Sequence, residues 1–314
     1  MKIAFVFPGQ GSQAVGMLDS FADDAAARAV ILRADAALGQ PLSTLVASGP
    51  SDELALTVNT QPAMLTASIA MFDAWRAAGG PMPAVMAGHS LGEYSALTAA
   101  GVFPLDDAVR LVRFRAQAMQ EAVPVGTGTM AAILGLTDEQ VAQACAEGAQ
   151  GEIVEPVNFN APAQVVIAGH AAAVVRACEA AKRLGAKRAL PLAVSAPFHS
   201  SLLKPASLQL ARRLADTSMN SPAVPVINNI DVQAESDPVR IRDALARQAA
   251  GPVKWSQIIA RMAAEGVTHV VECGPGRVLS GLTKRIAPAV ESLSISDAAS
   301  LRDTLDRLAG AASA

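Results

Sequence analysis

Apolar positions along the chain fall into short runs that alternate with longer amphipathic stretches. Lys2 to Phe7 is a brief apolar run stopped by Pro8-Gly9, the pattern of a buried strand. Ala84 to Ala87, followed by Gly88, repeats it, as do Val224 to Ile230 and Val267 to Cys273. Gln61 to Arg76 carries a helical pattern closed by Gly79-Gly80. Asp106 and Asp107 open another helix that runs to Val123, negative charge suiting its N-terminal end. Leu202 to Ala215, Pro238 to Ala250 and Leu301 to Leu308 read as further helices. Strands alternating with helices predict a mostly parallel sheet covered on both faces.

The stretch from Thr129 to Val194 has a different rhythm. Thr129 to Leu134 reads as a strand, and Thr137 with Gln140 forms a capping box that starts a helix to Glu147. Ile153 to Val157 and Gln164 to Ala168 read as strands separated by Asn and Pro. Ala171 to Leu184 is a helix stopped by Gly185, and Arg188 to Val194 is a last strand. The order β-α-β-β-α-β is the ferredoxin-like signature. It predicts a small subdomain at 126–197 inserted between 1–125 and 198–314, with turn-rich boundaries near Gly126 and Pro197.

Composition narrows the function classes. With 314 residues, one large domain or two smaller ones is expected. Charged residues make up 17% and the formal net charge is −3, which excludes a general nucleic-acid binder. The 51% hydrophobic content excludes disorder. No stretch supplies the ~20 mainly apolar residues of a membrane helix, and Met1 to Phe7 is too short for a signal h-region. Cys145, Cys178 and Cys273 are sparse and odd in number, which predicts reduced thiols, no zinc site and a cytoplasmic setting.

Gly88-His89-Ser90-Leu91-Gly92 is the sharpest chemical feature. A G-x-S-x-G run between a strand and a helix can hold its serine on a strained turn at a helix start, where free amides face a developing oxyanion. The alternative is a glycine-flanked helix cap at Ser90. A serine nucleophile needs a base. His89 is adjacent and points away, His170 reads as a loop or cap residue, and His269 reads as a core histidine. His199, in a loop at the return from the inserted segment, is the candidate on position. The only aspartates between Ser90 and His199 are Asp106, Asp107 and Asp138, all at helix starts, so a backbone carbonyl could orient the imidazole. Phe5 to Gln13 leads a strand into a glycine-rich loop able to face a ligand. Arg113 and Arg115 flank the apolar stripe of their helix on opposite edges, and periodicity does not choose between them.

These stretches, together with Asn59-Thr60-Gln61-Pro62, Glu93, Gln120 to Pro124, Val157 to Asn160, Phe198-His199, Gln248, Pro252-Val253, Trp255 and Gly274 to Arg285, resemble the malonyl-CoA:acyl carrier protein transacylases of type II fatty acid synthesis. The resemblance spans essentially the whole chain. It implies an α/β-hydrolase-like core with an inserted ferredoxin-like subdomain. It implies a malonyl-serine intermediate on Ser90, His199 as base, and the Gln10 and Leu91 amides as oxyanion hole. Arg115 would grip the malonyl carboxylate, with Gln61, Asn160 and Phe198 also lining the substrate site, and the Gln248 carbonyl would orient His199. An aromatic at 198 and a leucine at 91 favour malonyl over methylmalonyl. The partners implied are malonyl-CoA and holo acyl carrier protein, with no metal or redox cofactor, and a monomer is expected. Carriers are acidic, so Lys182, Arg183, Lys187, Arg188, Lys284 and Arg285 are docking candidates, or simply solvated helix faces. The competing readings are service to a polyketide carrier, a serine thioesterase using the same elbow, and a non-catalytic carrier-binding module.

Overall fold

A computed structural model describes residues 1–313. Nine strands form two sheets. β1 (Ile3–Phe7), β2 (Val85–Gly88), β7 (Val226–Ile227), β8 (His269–Cys273) and β9 (Glu291–Ile295) make an all-parallel sheet in the order β7-β2-β1-β8-β9. β3 (Gly128–Leu134), β4 (Val154–Ala161), β5 (Gln164–His170) and β6 (Arg188–Pro191) make an antiparallel sheet in the order β4-β5-β3-β6. With helices Asp138–Ala149 and Ala171–Arg183 between its strands, this second unit has the expected ferredoxin-like order.

β1 shows why the central run is apolar throughout. Side chains alternate across a strand, and both faces of this sheet are covered. Ile3, Phe5 and Phe7 enter the core under helices Ala25–Leu38, Thr57–Ala77 and Leu105–Glu121. Ala4 and Val6 enter the opposite core under helices Trp255–Ala264 and Val278–Ile286. Phe5 lies 5.8 Å from Phe72 and 5.4 Å from Trp75, centroid to centroid, each such aromatic pair adding about 0.5–1.5 kcal/mol beyond area burial.

The antiparallel sheet is also two-faced. Ala131, Ile133, Val165 and Ile167 pack under its two helices. Met130, Val166 and Ala168 face the other way, toward Met119 of helix Leu105–Glu121 and toward Phe198. The cleft between the sheets therefore has one wall from each.

Several elements differ from expectation. The strand expected over Val224 to Ile230 shrinks to two residues, because Asn228 and Asn229 leave the ladder to bond elsewhere. β4 runs on through Asn158 and Asn160 to Ala161, with register shifts that accommodate its polar residues. β6 ends at Pro191, short of Val194. β9, whose serines alternate with Leu293 and Ile295, is an edge strand that apolar runs do not reveal. The last helix extends over Ala298–Ser313.

Candidate active site

Three neighbouring strands, β1, β2 and β7, end on one side of the sheet, where parallel α/β sheets place their ligands. They deliver Gln10, Ser90 and Asn229 respectively. Between β2 and helix Gly92–Ala99, Ser90 adopts φ 53°. The flanking glycines are required by contact distance. A Cβ on Gly88 would lie 1.8 Å from the carbonyl of Gly92, and one on Gly92 would lie 2.0 Å from the Phe7 carbonyl oxygen. The hydroxyl is thus displayed on a tight turn beside a helix start, not used as a cap.

His199 comes from the segment that returns from the antiparallel sheet. It is buried, with φ 66°. Its Nε2 is 2.7 Å from Ser90 Oγ, and its Nδ1 is 2.9 Å from the Gln248 carbonyl oxygen. That carbonyl can only accept, so Nδ1 carries the proton and Nε2 accepts from the serine hydroxyl. Burial, reinforced by the Arg115 guanidinium, pushes the imidazole down to about 3, so it is neutral at pH 7. Among the described residues no carboxylate bonds His199. Asp106 pairs with Arg33 at 3.0 Å, Asp107 with Arg110 at 2.9 Å, and Asp138 stays in its helix's first turn.

Arg115 and Arg113, which periodicity left equal, separate clearly. Arg113 is half-buried away from the serine. Arg115 is buried, with Nη2 3.2 Å from Ser90 Oγ and 3.0 Å from Gln248 Oε1, and Nη1 2.8 Å from Gln61 Oε1. Its guanidinium carbon stands 5.3 Å from the Tyr94 ring centroid. No carboxylate forms a salt bridge with it among the described residues, and its Nε has no hydrogen-bond partner. Burial pulls its pKa down, yet a guanidinium stays charged in proteins. Its hydrogen-bond partners are neutral, Glu93 acts on it only through space, and a buried cation so placed is a receptor for an anion.

A cleft of about 450 Å³ opens over these groups, lined by Gln10, Gln61, Ser90, Arg115, Phe198 and His199. Met119, Met130, Val166 and Leu282 form its apolar walls. The amides of Gln10 and Leu91 border it, and neither donates to a protein acceptor among the described residues. The Gln10 side chain is tied back, accepting from Thr57 at 2.8 Å. Asn160 reaches the cleft while its Oδ1 meets His89 Nε2 at 2.8 Å, and the His89 ring lies 5.5 Å from Trp255. His170 caps the helix after β5 and accepts from the Ile153 amide. His269 is only partly buried and faces Glu291 at 3.2 Å, so it is not the core histidine expected. Of the basic candidates, Arg183 pairs with Glu147 and Arg285 bonds Gln164, while Lys182, Lys187, Arg188 and Lys284 are exposed.

Two buried residues do work that the sequence reading did not assign. Glu93 Oε2 accepts from the Asn229 amide at 2.9 Å and from Gln248 Nε2 at 2.9 Å. Asn229 Oδ1 accepts from the Ser90 amide at 2.7 Å. The usable signal was position: Asn228-Asn229 directly follow an apolar run, at the end of a parallel strand.

The acyl transferase domain family matches residues 4–301. The malonyl CoA-acyl carrier protein transacylase of Escherichia coli (strain K12) is 54% identical over 309 residues, 97% of this chain and 99% of that protein. The crystal structure of an acyl-carrier-protein S-malonyltransferase from Burkholderia pseudomallei 1710b is 61% identical, with a TM-score of 0.96 over 98% of this chain and 100% of that one. A malonyl-transacylase solved with a type II PKS acyl-carrier protein is 49% identical, with a TM-score of 0.96 over 98% of this chain and 100% of that one. By sequence across nearly its whole length and by fold, this chain belongs to the malonyl CoA-acyl carrier protein transacylase family of acyl transferases.

Proposed function

We propose that this enzyme moves the malonyl group from malonyl-CoA to the phosphopantetheine thiol of holo acyl carrier protein, for fatty acid synthesis, through a malonyl ester on Ser90. One observation carries the reading: Ser90 Oγ lies 2.7 Å from a neutral imidazole and 3.2 Å from a buried guanidinium that makes no salt bridge among the described residues. In a malonyl thioester a single methylene separates the carboxylate from the attacked carbonyl. A cation beside the nucleophile is therefore where that carboxylate needs one, and an acetyl group would leave it unmatched.

The Ser90 hydroxyl gives its proton to His199 Nε2 as Oγ attacks the thioester carbonyl. The oxyanion is met by the Gln10 and Leu91 amides, the latter aided by the helix start. Collapse breaks the C–S bond, and the leaving CoA sulfur takes the proton from His199. The carrier thiol then gives its proton to His199 as its sulfur attacks the ester; collapse breaks the bond from the acyl carbon to Oγ, and Ser90 Oγ takes the proton back from His199. The Gln248 carbonyl holds the imidazole in the required tautomer throughout. Gln61 braces Arg115, and Phe198, at the wall beside His199, limits an α-branch on the acyl group. The scheme calls for no metal or redox cofactor. The protein works as a monomer in the cytoplasm; in support, one chain supplies every group of the site, the three cysteines are free, and no described helix is long and apolar enough to cross a membrane.

The test is incubation with labelled malonyl-CoA, with and without holo carrier. The reading requires a stable labelled Ser90 without carrier and fast label transfer when it is added. Rapid malonate release without carrier would establish a thioesterase instead. Parallel arms with a fatty acid and a polyketide carrier identify the acceptor by relative kcat/KM.

A further inference from the structure

Three of the four polar groups of Asn229 bond around the serine turn. It is fully buried just past β7. Its Oδ1 accepts from the Ser90 amide at 2.7 Å, and its Nδ2 donates to the Gly88 carbonyl at 2.7 Å. Its own amide donates to Glu93 Oε2, and its carbonyl accepts from the Lys254 amide at 3.1 Å. From the other side, Gln248 Nε2 donates to the Ser90 carbonyl at 2.9 Å and to the same Glu93 oxygen. Both polar groups of the Ser90 backbone are thereby held by amide side chains from distant parts of the chain.

We propose that Asn229 is a positioning residue for the nucleophile: by bridging the Gly88 carbonyl and the Ser90 amide, it locks the left-handed turn that sets the hydroxyl against His199. The inference rests on the reading of Ser90 as nucleophile. A left-handed serine is strained, and such strain persists only where the surroundings over-determine it. The first helix amides reach only the carbonyl side of the turn, Gly92 donating to the His89 carbonyl and Glu93 to the Ser90 carbonyl, whereas the Ser90 amide, which precedes the helix, is held by Asn229. The grip needs one acceptor and one donor on a short planar fork, which asparagine supplies and aspartate, leucine or alanine do not. It also decides which amide faces the substrate. With the Ser90 N–H engaged by Asn229, the next amide, Leu91, remains free at the cleft.

The experiment measures Ser90 phosphorylation by diisopropyl fluorophosphate, in which the Oγ–P bond forms as fluoride leaves and His199 takes the proton. This reagent does not need the malonyl subsite, so it reads the nucleophile separately from the proposed substrate. Asn229→Ala loses both bonds and is expected to label about 100-fold more slowly; Asn229→Asp keeps the acceptor and loses the donor, for a loss of about tenfold. KM for malonyl-CoA is expected to stay within about threefold, since Arg115 and the cleft walls are untouched. Folded Asn229→Ala or Asn229→Asp labelling within twofold of the unmodified enzyme overturns the proposal, as does a KM that rises in step with the lost rate. If Asn229→Ala does not fold, the equal-volume Asn229→Asp decides alone. An unmodified enzyme that labels with the reagent but transfers no malonyl group would sink the proposed function and leave this inference standing.

Discussion

His199 Nε2 stands 2.7 Å from Ser90 Oγ, and both residues hold a left-handed backbone, φ 66° and 53°. Strain of about 1–3 kcal/mol per such residue is offset by buried hydrogen bonds that end on these same two residues. The pair is therefore assembled before substrate arrives. Removing the imidazole takes away the proton acceptor and leaves the serine hydroxyl with no base. His199→Ala is expected to slow Ser90 acylation by about 10³-fold or more, read by rapid-quench capture of the malonyl-enzyme. Acylation within tenfold of normal would remove His199 from the mechanism.

The buried setting of that imidazole fixes a pH profile. His199 serves as base only when neutral, and a group held at about 3 is neutral at every pH above about 4. From this group the labelling rate of Ser90 should show no loss as pH falls from 7 to 5. A tenfold drop per unit with a midpoint near 6.5 would mean a solvated imidazole, contrary to the bonds at both ring nitrogens. Stopped-time labelling across that range checks it.

Much of this was readable in the sequence, for identifiable reasons. β1 and β2 were legible because strands buried on both faces give unbroken apolar runs ended by glycine. The elbow was legible because steric demand at Gly88 and Gly92 writes itself as glycine. Arg115 was not separable from Arg113 by periodicity, since both border one stripe and only the tertiary fold decides which edge meets the serine. Asn229 and the bonding role of Glu93 were invisible for a related reason. The hydrogen bonds that tie them to each other, Asn229 to Gly88 and Ser90, and Glu93 to Gln248 join residues 136 to 155 positions apart, and local pattern carries no trace of such pairing. β9 escaped because an edge strand needs only one buried row.

Arg115 lies in reach of the nucleophile but forms no salt bridge with a carboxylate among the described residues. Its contribution should therefore depend on whether the acyl group is charged. Arg115→Ala is expected to lower kcat/KM for malonyl-CoA by about 100-fold or more, as a bidentate charge-assisted pair is lost. Acetyl transfer should fall far less. Arg115→Lys should restore little, because an ammonium does not reproduce the planar fork. Equal losses on malonyl and acetyl substrates would make the residue structural.

The two elbow glycines give a stability prediction. Gly92→Ala puts a methyl carbon 2.0 Å from the Phe7 carbonyl oxygen, in backbone that cannot rotate away. The strand end, the turn and the helix start would have to part. Destabilisation of at least about 3 kcal/mol is expected, measured by urea unfolding, with Ser90 labelling lost in whatever folded protein remains. A variant unfolding at the normal midpoint would contradict the packing of helix Gly92–Ala99 on β1.

Glu93 and His199 titrate in opposite senses over one pH window. Burial raises Glu93 to about 7 from 4.5, against its bonds to Gln248 and Asn229. Between those values the folded protein holds a proton that the unfolded chain has released, so this stability contribution is full below 4.5 and is lost as pH rises through 7. Burial lowers His199 to about 3 from 6.5. Below 6.5 the unfolded chain takes up a proton that the folded protein refuses, so this contribution is present above 6.5 and is lost as pH falls. From 6.5 to 4.5 the two slopes oppose and nearly cancel. Glu93→Gln removes one of them and leaves the histidine slope exposed. Relative to the unmodified protein, the variant should lose on the order of 2 kcal/mol as pH falls from 6.5 to 4.5, at about 1.4 kcal/mol per unit for one proton. Urea unfolding at half-unit steps reads the difference directly. Parallel stability curves for the two proteins would mean that Glu93 is ionised in the fold, and that its carboxylate is balanced by the Arg115 charge to a degree that its burial does not suggest.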